Sequence, residues 1–171
     1  MTKDPLTLYK LIVLYMLNRV SFPLTKAQIG DFMLEREYTT FLTLQQAISE
    51  LIDAEMVKAK SIRNRTHLEI TPDGRQTLDF FGNRISTQIK EEIDSYFKEN
   101  SFRLKNEVSV LSNYYKNTAG EYEAELIIKE KEVNLIDLKL SVPTEALAAS
   151  ICEKWESENQ GIYKYIVDKL F

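Results

Sequence analysis

The sequence holds one cysteine, Cys152, and one histidine, His67. A single thiol excludes a disulfide within the chain, and one residue of each type excludes a zinc cage of cysteines and histidines. Histidine-based catalysis would rest on His67 alone, which argues against it. Glycine is scarce, and Gly30, Gly74, Gly82, Gly120 and Gly161 fit neither GxGxxG nor GxxxxGK[ST]. Long apolar runs are also missing. The longest, Leu11 to Leu17, has seven residues, whereas a membrane helix needs ~20. Met1-Thr2-Lys3-Asp4-Pro5 does not read as a signal peptide, so a cytoplasmic protein is expected. Basic residues do not dominate either. Lys+Arg is 22 against Asp+Glu 26, a net charge of −4, so any nucleic-acid surface must be local.

What is present is a folding composition. The 171 residues are 44% hydrophobic and 28% charged, enough for one domain or two small ones. Asp4-Pro5 reads as an N-cap with proline at the first helical position. Leu8, Leu11, Ile12, Tyr15 and Val20 follow at helical spacing, and Val13, Leu14 and Leu17 add apolar surface on other faces. Thr25-Lys26-Ala27-Gln28 reads as a capping box opening a short second helix that ends near Arg36. Thr43-Leu44-Gln45-Gln46 reads as another, opening a third helix with the stripe Leu44, Ala47, Ile48, Leu51, Ile52.

The period then drops to two. Met56 to Ile62 and Thr66 to Ile70 alternate, with Arg63-Asn64-Arg65 as the tip of a hairpin. Thr71-Pro72-Asp73-Gly74 caps a fourth helix, in which Leu78, Phe80 and Phe81 are candidates for burial. A fifth helix is predicted from about Ser86 to Asn100. Three strands follow, about Leu104–Lys116, Tyr122–Lys129 and Val133–Val142, the second with Glu121, Glu123 and Glu125 on a wet face. Thr144 caps a last helix with the stripe Leu147, Ile151, Trp155, Ile162, Ile166, Leu170, which Gly161 could bend. Residues 1–85 carry a net charge of +1 and residues 86–171 a net charge of −5.

Three helices, a two-stranded hairpin and a helix are the order of a winged helix-turn-helix. The expected fold is α+β: a winged helix-turn-helix domain over 1–83, then over 84–171 a helix, a three-stranded antiparallel sheet and a C-terminal helix for dimerisation or sensing. In such a domain the third helix enters the major groove while the hairpin reaches neighbouring phosphates. Here Gln45, Gln46 and Ser49 would face bases. Thr43 would lie near the backbone, and Lys58, Lys60, Arg63, Asn64 and Arg65 would form a basic wing. Asp53, Glu50 and Glu55 count against this, because the third helix has acids and no Lys or Arg.

The chain also resembles a family of winged-helix proteins from Gram-positive bacteria known as a domain of unknown function. Asp4 to Ile12, Phe41 to Ala47, Leu135-Ile136-Asp137-Leu138 and Val142-Pro143-Thr144-Glu145 carry the likeness. It implies DNA-binding transcriptional regulation by fold alone and supplies no catalytic residues.

The expectation is therefore a regulator that binds double-stranded DNA as a homodimer, with no membrane contact. A small-molecule or protein effector would act at the C-terminal domain. The alternative is a protein-interaction module with the same fold. No enzyme, cofactor or metal site is expected, since no nucleophile–base pair, acid–base pair or calcium-loop pattern is written in the chain. His67 and Cys152 read as structural. Tyr114, Tyr115 and Trp155 read as core, with a ligand pocket as the alternative.

Overall fold

Helix α1, Pro5–Arg19, starts where Asp4 accepts the Leu6 amide at 3.2 Å. The computed structural model describes residues 4–62 and 64–171. Leu11, Ile12, Val13, Leu14, Met16 and Leu17 are all buried, so the helix is covered on several faces, as its apolar surplus predicts. A two-residue strand β1, Leu24–Thr25, runs into α2, Lys26–Glu35. The capping box is present: Gln28 donates its amide to Thr25 Oγ1 at 3.1 Å, and Thr25 donates its own to Gln28 Oε1 at 2.9 Å.

Helix α3, Phe41–Asp53, corrects one expectation. Its N-cap is Thr40, not Thr43, and the Thr40 hydroxyl accepts the Thr43 amide at 3.4 Å. The helix therefore begins two residues before the predicted capping box, and Gln46 is not a capping partner. Both α2 and α3 end in Schellman turns, with Tyr38 bonded to Met33 and Met56 to Leu51. The left-handed residue in each is a glutamate: Glu37 at φ 57° and Glu55 at φ 59°.

Strands β2, Val57–Ile62, and β3, Arg65–Ile70, pair antiparallel as predicted. They do not stand alone, which corrects the expected two-stranded hairpin. β1 joins the outer edge of β3 through Leu24↔Leu68 and Thr25↔His67, giving a three-stranded sheet β1-β3-β2. Helix α4, Pro72–Phe81, is capped by Thr71 and buries Leu78. Phe80 and Phe81 are 71% and 44% exposed, against expectation. Gly74 explains the tight start of α4: a Cβ there would lie 2.2 Å from the Met56 carbonyl oxygen.

A 3-10 turn, Gly82–Arg84, leads to α5, Thr87–Ser109, nine residues longer at its C-terminus than predicted. The segment 104–109, predicted as strand, is helical. Ile93, Phe97, Leu104 and Val108 are buried at spacings of four, seven and four, and Arg103 pairs with Glu107 one turn on. Gln28 adds a tertiary tie, donating to the Leu104 carbonyl at 3.1 Å and to Glu107 at 2.8 Å.

The chain divides into two compact units, 1–108 and 109–171. Residues 84–108, read from the sequence as the start of the second domain, lie in the first unit, whose core includes Ile93, Phe97 and Leu104. In the second unit β4, Val110–Lys116, β5, Tyr122–Glu130, and β6, Val133–Val142, form an antiparallel sheet in the order β4-β5-β6. The register shifts once, with Ile128 facing Ile136 and Lys129 facing Asn134, so Leu135 is the extra residue. Helix α6, Glu145–Leu170, lies chiefly over β4 and β5. It presents Ala148, Trp155 and Asn159 to the core, while Leu147, Ile162 and Leu170 of the predicted stripe are exposed. Trp155 Nε1 donates to the Ile127 carbonyl at 3.3 Å. The whole is a mixed α+β protein of six described helices and two three-stranded antiparallel sheets.

Candidate nucleic-acid interface

Helix α3 buries Leu44, Ala47, Ile48 and Leu51 and so turns the opposite side outward. Gln46, Ser49 and Asp53 are exposed there, with Gln45 half-buried at the margin and Thr43 half-buried in the first turn. Freed from capping, the Gln46 amide can offer a donor and an acceptor together. Glu50, the acid on the other margin, lies 3.3 Å from the Lys10 ammonium, which offsets its charge.

The helix has a feature that periodicity did not reveal. Phe41 is 61% and Leu42 78% exposed; Leu42 lies on the outward face, four and seven residues before Gln46 and Ser49, and Phe41 continues the line of Leu44 and Ile48 past the covered part of the helix. The signal was available: Leu42 is a large apolar residue off the stripe that runs through Leu44, but the misplaced cap put it in a loop.

The hairpin supplies the cations. Lys58, Lys60 and Arg65 are exposed on β2 and β3, and Asn64 turns the chain at φ 64°. Side chains two apart share a face, and facing residues share it too. Lys58 and Lys60 therefore stand on one face with Arg65, which pairs with Ile62. Glu69 faces Lys58 across the strands and is the acid of that face. Arg63 lies outside the described residues.

His67 is buried, facing Thr25 on one side and Lys60 on the other, in the middle of the sheet. Cys152 is half-buried against the second core, and Trp155 is a core residue of that unit. Tyr114 is half-buried and Tyr115 40% exposed. Glu125 lies 3.7 Å from Lys139 on the neighbouring strand, as a wet sheet face allows.

Two open clefts lie in the first unit along α5. One, of about 570 Å³, is lined by Arg19, Phe22, Asp94, Lys98 and Lys105 among others. The other, of about 660 Å³, includes Arg36, whose guanidinium stacks 4.3 Å from the Phe32 ring centre. In the first cleft Asp94 accepts from the Tyr15 hydroxyl at 3.0 Å and pairs with Arg19 at 2.9 Å. Burial, then the hydrogen bond and the charge of Asp94, push the Tyr15 phenol above its ordinary pKa, and Arg19 acts the other way.

Among the described residues no group of three or more His, Cys, Asp or Glu is placed to hold a metal ion. No described helix is long and apolar enough to cross a membrane. Comparison with curated proteins and with solved structures returns no match. A family model does match, over residues 9–170, and on that near-complete coverage the chain belongs to the family described as a domain of unknown function, DUF4364.

Proposed function

We propose that the first unit is a winged helix-turn-helix that binds double-stranded DNA, and that the protein is a cytoplasmic transcriptional regulator acting as a homodimer. It is a binding protein and not an enzyme. The element order α1-β1-α2-α3-β2-β3 supports the fold reading, with β1 closing the sheet against β3. In this reading Gln45, Gln46 and Ser49 of α3 face base edges in the major groove, with Thr43 by the backbone. Lys58, Lys60 and Arg65, with Asn64 at the turn, approach phosphates. The observation that carries the reading is the exposed set Lys58, Lys60 and Arg65 on one face of the hairpin, in a chain of net charge −4. Two copies are expected because one such module offers only a small interface to DNA.

The test is duplex-DNA binding by fluorescence anisotropy over a salt series, with wild type and Lys60→Ala/Arg65→Ala. Wild type should bind with log K falling against log salt, and the double variant, which loses two contacts from each of two copies, should flatten that slope by ~3.6. No binding at low salt by folded protein would overturn the reading. A second reading, a protein-interaction module, is favoured by exposed Phe41 and Leu42 at the start of α3. It predicts that Phe41→Ser/Leu42→Ser leaves DNA binding absent as before and abolishes capture of a protein partner.

A further inference from the structure

The outer edge of β6 carries no further strand among the described residues. An edge of this kind presents a row of backbone donors and acceptors that another strand can complete. β6 is ten residues long, has no proline, and carries only Asp137 and Lys139 as charges. Because α6 lies chiefly over β4 and β5, the underside of β6 is thinly covered. Leu140 on that side is 45% exposed, and Ile136 and Leu138 are only half-buried.

We propose that β6 pairs antiparallel with β6 of a second copy of this chain, in a register centred on Leu138, to make one six-stranded sheet. Symmetry narrows the register and charge selects within it: of the possible centres along the strand, Leu138 is the one that sets Asp137 against Lys139. Facing residues of a sheet share a face, and neighbours along a strand do not, so a two-fold axis must pass through a residue rather than between two. Centring on Asp137 sets Asp137 against Asp137, and centring on Lys139 sets Lys139 against Lys139. Centring on Leu138 instead sets Asp137 against Lys139 twice, once in each direction, and like charges directly opposite are the unfavourable case. The same register lays Ile136 against Leu140 and Leu138 against Leu138 on the underside, covering the apolar surface that α6 leaves open. It uses the regular stretch of the strand beyond the extra residue Leu135. The inference rests on the two-copy reading above and is independent of DNA binding.

Sedimentation velocity of the full chain, from micromolar to millimolar concentration, tests it with the wild-type pair, Asp137→Lys, Lys139→Asp and the double exchange, all in a Glu125→Gln background that removes the carboxylate facing Lys139 within the chain. Asp137 and Lys139 are exposed, and far-UV circular dichroism checks that each variant folds. The expected result is a wild-type dimer, a dissociation constant raised about tenfold or more in each single variant, and recovery in the double exchange. The single-variant effect should shrink at high salt. A monomeric wild type would overturn both this surface and the two-copy reading. A dimer indifferent to the single changes would overturn the surface alone. Weakening without recovery would overturn the register and with it the proposal.

Discussion

At Gly74 one missing methyl group decides how the first unit closes. The residue lies where α4 meets the turn after α3, and a Cβ would collide with the Met56 carbonyl oxygen and press on Ile70 and Leu14. Backbone cannot swing aside as a flexible side chain can. Gly74→Ala is therefore expected to lower stability by about 3 kcal/mol or more, read as a reduced urea midpoint. Tyr15 gives the pH counterpart. Its folded pKa is raised, so its contribution is fully present below the unfolded pKa of 10.0 and is lost as pH rises through the folded value. Wild type should lose stability from about pH 10 upward, and Tyr15→Phe should show a shallower alkaline slope in thermal melts taken at stepped pH. Neither residue required the structure to be noticed. Gly74 follows a threonine cap and a proline, a pattern that announces a tight first turn. The partner of Tyr15 was hidden, because Asp94 is 79 residues away and nothing local joins them.

Elements were legible where their signals are local. The caps at Asp4, Thr25, Thr71 and Thr144 each accept the amide that the sequence assigns to them. The start of α3 was misread because Thr43 and Gln46 complete a capping-box pattern that Thr40 lacks, whereas the cap falls to the residue that leaves the helix extended; Thr40 does, at ψ 163°. Thr40→Ala should cost about 1 kcal/mol of stability, whereas Thr43→Ala should cost only a few tenths through the cap, as paired chemical denaturation curves would tell. A reversed ranking would restore the later start and return Gln46 to capping duty. The extension of α5 was missed for a different reason. Val108, Val110 and Leu111 suit a strand as well as a helix, and the burial of Leu104 against the first core settles the matter. β1 was invisible because two residues cannot display an alternation.

Across the whole molecule, the one tryptophan sits in the second unit, with Leu126 and Ile128 against it. Its fluorescence is thus a reporter of that unit alone. Trp155→Ala should destabilise the second unit by about 3–5 kcal/mol, followed by circular dichroism since the variant has lost its fluorophore. The candidate interface was only half readable from the sequence. Its charged and amide side chains could be named from their positions, because charge and capping residues are written in one dimension. Exposure of Phe41 and Leu42, and the neutralising contact between Lys10 and Glu50, depend on how α1 and α3 meet, which a single sequence does not state.

The hairpin between α3 and α4 is fastened at its base. Thr71 donates its amide to the Met56 carbonyl at 3.1 Å and its hydroxyl to the Glu55 carbonyl at 2.7 Å, while that same hydroxyl receives the Gly74 amide at 3.1 Å. One threonine thereby joins the end of one helix to the beginning of the next and shuts the loop in between. In mechanical terms the hairpin is an arm clamped at the shoulder, tied at its root by three bonds of one residue. A pull on the hairpin would reach the end of α3 through these bonds, and Thr71→Val would loosen the clamp by removing both hydroxyl bonds while leaving the amide bond to Met56.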